Sequence, residues 1–184
     1  MAESKTASRP PSEAGISQLL RNPDLLRLLG YWRSKRSGRA MPSRRDVDPT
    51  EIPWALSRIF LVDYSAQDGF RYRLAGSEIA SAFGRANMKG LLFSGFLPPE
   101  RARFVEERWM PLVRDRCIVV MTGMIYLAAE RTSIGERLLL PLAETPDGPV
   151  TGVLGMAECE WVIGAVPREV RLSQIEYLPV ADIP

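Results

Sequence analysis

Two thiols, Cys117 and Cys159, are the softest nucleophiles in this 184-residue chain, and no histidine accompanies them. Without histidine there is no Ser–His or Cys–His nucleophile pair and no imidazole proton shuttle. The usual proximal haem ligand and most transition-metal donors are missing for the same reason. The cysteines lack CxxC spacing and cannot close a zinc site by themselves. Each lies in an apolar run, where cysteine behaves as a small buried hydrophobe. Carboxylate or lysine chemistry would remain, but no paired-carboxylate arrangement stands out. No catalytic residue is assigned, and the chain reads as something other than an enzyme, with no metal expected.

The chemistry left over is electrostatic. Residues 1–45 hold ten Lys and Arg against three Asp and Glu, while the rest of the chain is net acidic. A basic arm on an acidic body suits an acidic partner, nucleic acid or the body itself. Arg33, Lys35, Arg36, Arg39, Arg44 and Arg45 would carry a nucleic-acid-associated regulator, the alternative function. They come without interleaved aromatics or a helix-turn-helix pattern, so a solvated helix face is the first reading and nucleic acid is not an expected partner. Arg73 alternates with Tyr72 in an interior strand and is costly to bury unpaired. It reads first as an ion pair with Asp63, Glu78 or the N-terminal arm, and second as a clamp on an anionic ligand.

Elements that could position these groups follow from period and punctuation. Asn22-Pro23-Asp24 is a helix start, with Asn at the N-cap, Pro at the first position and an acid in the first turn. Leu25, Leu28, Leu29 and Trp32 then fall on one face, with Leu26 beside them, and Gly38 terminates the helix. Asp48-Pro49 with Glu51 suggests a capped short helix. Strands are predicted over 58–64, 69–75, 118–127, 137–143 and 150–162, with turns at Gln67-Asp68-Gly69 and Thr145-Pro146-Asp147-Gly148. Gly76-Ser77 caps a short helix, and Pro98-Pro99-Glu100 opens a longer one that Pro111 should end or bend. The order implies an α+β fold: one five-stranded antiparallel sheet, helices inserted after the second strand, and an N-terminal amphipathic helix. The chain divides into a disordered tail (1–15), the N-terminal helix and basic linker (16–57), the sheet domain (58–163) and an irregular C-terminal tail (164–184).

The element order and local sequence together resemble the PAS domain, and among its families the fifth, a bacterial family often found as short stand-alone proteins. The resemblance rests on Tyr31-Trp32 with Lys35-Arg36, Met41-Pro42-Ser43-Arg44 and Asp48-Pro49. It continues through Phe60-Leu61-Val62-Asp63, Phe70 to Ser77, Phe83-Gly84-Arg85, Lys89-Gly90 and Leu138 to Leu142. It implies a sensory or regulatory module that holds a small ligand between sheet and helices, binds a protein partner, or does both, signalling in trans. Placed on that fold, Tyr72, Arg73, Phe83, Met88, Phe93, Phe96, Trp109, Met121, Met124, Leu140 and Met156 are the pocket candidates. Flavin would need a reactive cysteine or polar ring contacts in the short helices, and haem an axial ligand. Neither is expected, and the ligand's identity stays open.

The apolar stripe of Leu25, Leu26, Leu28, Leu29 and Trp32 is wider than one packing surface needs, which suggests a homodimer through this helix. Met1 to Gly15 has no apolar signal core, and no run is long enough to span a bilayer. A cytoplasmic protein without a membrane partner is expected.

Overall fold

The computed structural model describes residues 16, 18–128, 131–163 and 174–183. Helix α1 covers Pro23–Ser34, with the Asn22 side chain accepting from the Asp24 and Leu25 amides at 2.9 and 3.3 Å. Three 3-10 turns follow, at Arg44–Asp46, Pro49–Glu51 and Pro53–Ala55. The capping box falls one turn earlier than expected: Ser43 and Asp46 form it, while Asp48 caps its own turn through the Thr50 amide at 2.8 Å. The same spacing recurs from Asp48 to Glu51, but there Glu51 accepts from Lys35 at 2.8 Å.

Strands β1 (Ile59–Ser65) and β2 (Gly69–Ala75) form the first hairpin. Helices α2 (Ser77–Ala82), α3 (Phe93–Phe96) and α4 (Pro99–Arg114) come next, and α4 runs through Pro111 for one further turn rather than stopping there. Strands β3 (Cys117–Ala128), β4 (Arg131–Ala143) and β5 (Val150–Ile163) follow. Asp147 turns the last hairpin at φ 57°, and the Gly148 amide closes it on the Thr145 carbonyl at 3.0 Å. The sheet order is β2-β1-β5-β4-β3-β6 and every pairing is antiparallel.

The sixth strand, β6 (Gln174–Pro179), corrects the expectation of five strands, and within the irregular tail expected over 164–184 it makes 174–179 regular. It pairs along the edge of β3, from Cys117 opposite Pro179 to Thr122 opposite Gln174. Its local pattern is weak because only Leu178 is fully buried, as befits an edge strand. The tail assigned to 1–15 lies outside the described residues, as do 164–173.

The two faces of the sheet are covered differently. On β4, Glu136 accepts from the Arg21 and Asn22 amides at the entry to α1, so the even-numbered residues from 136 to 142 face that helix. Leu25, Leu28 and Trp32 are fully buried there, and the Trp32 indole donates to the Pro141 carbonyl at 2.9 Å. Burial of each such leucine is worth roughly 1.5–3 kcal/mol. The stripe proposed for a dimer is therefore spent on the chain's own sheet, with Leu26 partly buried beside it. That corrects the dimer-helix assignment: the leucines that looked surplus cover the bare sheet face. Helices α2 to α4 cover the opposite face. Among the described residues no helix is long and apolar enough to cross a membrane.

Candidate functional site

Between α3, α4 and the face of β3 and β4 that carries Met121 and Arg137 lies a cavity of about 280 Å³. Its helical wall is Phe83, Phe93, Phe96, Leu97, Val105 and Trp109, and its strand wall is Tyr72, Met121, Met124, Ile125, Tyr126 and Arg137. Phe104 and Leu127, both about half exposed, stand at the rim with Arg101 and Arg108. The walls form a linked aromatic array. Tyr72 and Phe93 centroids are 5.1 Å apart, Phe93 and Trp109 5.1 Å, Phe83 and Phe96 5.3 Å, and Phe83 and Tyr126 5.5 Å. Tilted and edge-on pairs at such distances add stabilisation beyond area burial and hold the walls in place.

Backbone detail places the strand wall. Met121 pairs with Arg137, so both point to the cavity face. A register shift between Met124 and Tyr126 then re-aims β3, and Tyr126 comes opposite Ser133, whose hydroxyl accepts its amide at 2.9 Å. Without that bulge Tyr126 would turn to the other face. Gly155 in β5 leaves room for the Phe60 ring, which stacks on Trp109 at 5.7 Å and supports the floor.

Seven of the sequence candidates line the cavity: Tyr72, Phe83, Phe93, Phe96, Trp109, Met121 and Met124. Four do not. Leu140 and Met156 are fully buried on the face under α1, because Leu140 shares the parity of Glu136 and Met156 pairs with Leu138. Met88 fills the core behind the loop that binds β2 edge-on, where the Gly90 amide donates to the Tyr72 carbonyl at 2.7 Å. Arg73 is half exposed and forms a two-point pair with Asp63, at 2.9 Å through Nε and 2.7 Å through Nη2. It is a surface ion pair, not a ligand clamp.

Arg137 is what residue-by-residue reasoning missed. It is 7% exposed, and its guanidinium carbon lies 4.5 Å from the Tyr126 ring centroid and 6.0 Å from that of Phe60. Among the described residues Nη2 makes a long hydrogen bond to the Ile125 carbonyl at 3.5 Å, and Nε has no partner. The buried Trp109 Nε1 is likewise unpartnered, and so is Arg108 Nε at the rim, where that guanidinium stacks on Phe104. Arg101 donates to the Leu127 carbonyl at 2.8 Å. Among the described lining residues three are arginines and none is acidic. Burial holds the Tyr72 phenol far above its ordinary range, with Tyr126 adding to this and Arg137 opposing it. Burial raises Tyr126 too, against the pull of Arg137. Both phenols keep their protons at neutral pH.

Neither thiol is activated. Burial pushes Cys117 up to about 11, with Asp115 adding to it, and burial raises Cys159 as well. Thiolate, not thiol, is the reactive form. The basic linker is tied into the fold: Lys35 pairs with Glu51, Arg39 with Asp46 at 2.6 Å, Arg36 donates to the Ile183 carbonyl at 2.7 Å, and Arg44 to that of Val47 at 3.3 Å. Among the described residues no cluster of three metal-binding side chains occurs.

Comparison with known proteins adds one finding. A family model described as PAS domain, the fifth of the PAS families, matches residues 20–157. No curated protein and no solved structure matches the chain.

Proposed function

We propose, given that the chain belongs to the PAS domain family, that it is a sensory module whose cavity holds a small organic ligand and whose output passes to a protein partner in trans. Membership of that family already makes it a module of general sensory or regulatory type. One observation carries the finer reading: the aromatic cavity between sheet and helices contains buried donors, Arg137 Nε and Trp109 Nε1, that nothing in the described fold satisfies. Buried polar groups are paired as a rule, and an exception in a concave apolar site points to a missing partner. Catalysis is not part of this proposal; the described residues that line the cavity include no thiol and no carboxylate. A cytoplasmic setting goes with it.

The basic linker as a nucleic-acid surface gains nothing here, because Lys35, Arg36, Arg39 and Arg44 all make bonds within the chain. The homodimer expected from the sequence has no surface assigned to it once the α1 stripe is spent. Native mass spectrometry of the purified full chain tests both points. The reading expects a small-molecule adduct that leaves on denaturation, and the same spectrum counts monomer and dimer. A bare chain mass, together with no thermal stabilisation by any member of a metabolite panel, would contradict ligand binding.

A further inference from the structure

We infer that the cavity selects a monocarboxylate with an apolar body, its carboxylate seated on Arg137. This rests on the ligand-binding reading and names the class of ligand. An arginine keeps its charge in proteins, and its planar fork matches a carboxylate in two-point geometry. Arg137 lines an apolar cavity and is 7% exposed, with Nε unpartnered among the described residues and one terminal nitrogen on a long bond to Ile125. A buried charge without a counter-ion is costly, and cation–π contact with Tyr126 and Phe60 recovers only part of that cost. None of the described lining residues supplies the counter-charge, and Glu136 and Glu158, its neighbours along and across the sheet, point to the opposite face.

Trp109, which lines the same cavity, brings a second buried donor, Nε1, without a partner among the described residues. Arg101 and Arg108 at the rim make the approach attractive to an anion. Size narrows the class further. A benzene-sized guest occupies a cavity of about 150 Å³, so a cavity of about 280 Å³ suits about ten to twelve non-hydrogen atoms. One buried guanidinium amid aromatic walls fits one negative charge on an apolar body, whereas a phosphate dianion would need several more polar partners.

The test is isothermal titration of the full chain with two matched pairs, 3-phenylpropanoate against 3-phenylpropanamide and octanoate against octanamide. Within at least one pair the carboxylate should bind ten-fold or more tightly than its amide. Arg137→Met, checked for folding by circular dichroism, should bring the carboxylate down to the amide's affinity and leave the amide where it was. The wild-type comparison needs no variant and stands even where Arg137→Met does not fold. Amides that bind as well as their acids would leave the ligand cavity intact and overturn the carboxylate inference. A carboxylate preference that survives in folded Arg137→Met would overturn it too. No binding by any of the four compounds at about 1 mM, a limit of about −4 kcal/mol, would overturn this inference, while the ligand reading stands or falls on the native mass spectrum and the metabolite panel.

Discussion

Replacing Gly155 with alanine should press directly on the cavity floor. Gly155 pairs with Phe60 across β1 and β5, and a Cβ there would lie 2.2 Å from the Phe60 Cζ, 2.3 Å from Cε2 and 2.9 Å from Cε1. Carbon atoms rest at about 3.5–4.0 Å, so the ring has to lift by about 1.5 Å. Phe60 is 1% exposed and stacked on Trp109 at 5.7 Å, so the ring carries the indole towards the cavity. Two effects then oppose each other. Alanine narrows the unfolded ensemble, a gain of about 0.4–1 kcal/mol, while overpacking a core costs about 1–3 kcal/mol. Overpacking wins, and the adjoining cavity softens it, for a net loss of about 1–2 kcal/mol. Urea denaturation should show a lower midpoint at unchanged slope. Binding of 3-phenylpropanoate should weaken in the same variant. A midpoint equal to wild type together with unchanged affinity would refute the packing of Phe60 on this glycine.

Other perturbations probe the parts that hold the site. Trp32→Phe leaves the Pro141 carbonyl without its indole donor on the α1 side and should cost about 1–3 kcal/mol in chemical denaturation; no cost would mean that α1 does not dock on this sheet. Asp46 loses solvent on folding, which raises its pKa, but the Ser43 amide and Arg39 at 2.6 Å outweigh this and depress it. Its contribution is therefore full above the unfolded carboxylate pKa and lost as pH falls through the folded value. Wild type should exceed Asp46→Asn in stability at neutral pH, with the two converging in acid; parallel pH profiles would contradict that sign. Cys117, raised to about 11, should not react with a thiol reagent at pH 8 until the chain unfolds, and fast labelling in the folded protein would contradict its burial.

How much of this was legible in the sequence depended on whether a signal was local. Asn22, Pro23 and the leucine spacing mark α1, and Thr145 to Gly148 marks the last hairpin, because caps and turns are written in neighbouring residues. Alternation in Phe70-Arg71-Tyr72 assigns Tyr72 and Phe70 to one face, and Tyr72 does line the cavity. Period two says which residues share a face but not which layer covers it. Leu140 and Met156 were misplaced for that reason, since Arg137-Leu138-Leu139-Leu140 reads as apolar on both sides beyond its first residue. Arg137 takes its meaning from the pairing with Met121 and from the bulge that brings Tyr126 over it, and neither can be read from one segment. The edge strand β6 is found only through its pairing with β3.

The central claim is that a ligand sits on the face of β3 and β4 that carries Met121 and Arg137, beneath α3 and α4. Methyl NMR of the full chain labelled at its methionines tests this directly, because Met121 and Met124 line the cavity while Met156 lies buried on the opposite face of the sheet and Met88 in the core. Titration with 3-phenylpropanoate should move the Met121 and Met124 methyl signals saturably and leave those of Met156 and Met88 nearly in place. Saturable shifts centred on Met156, or none at Met121 and Met124 with the ligand in excess, would contradict it.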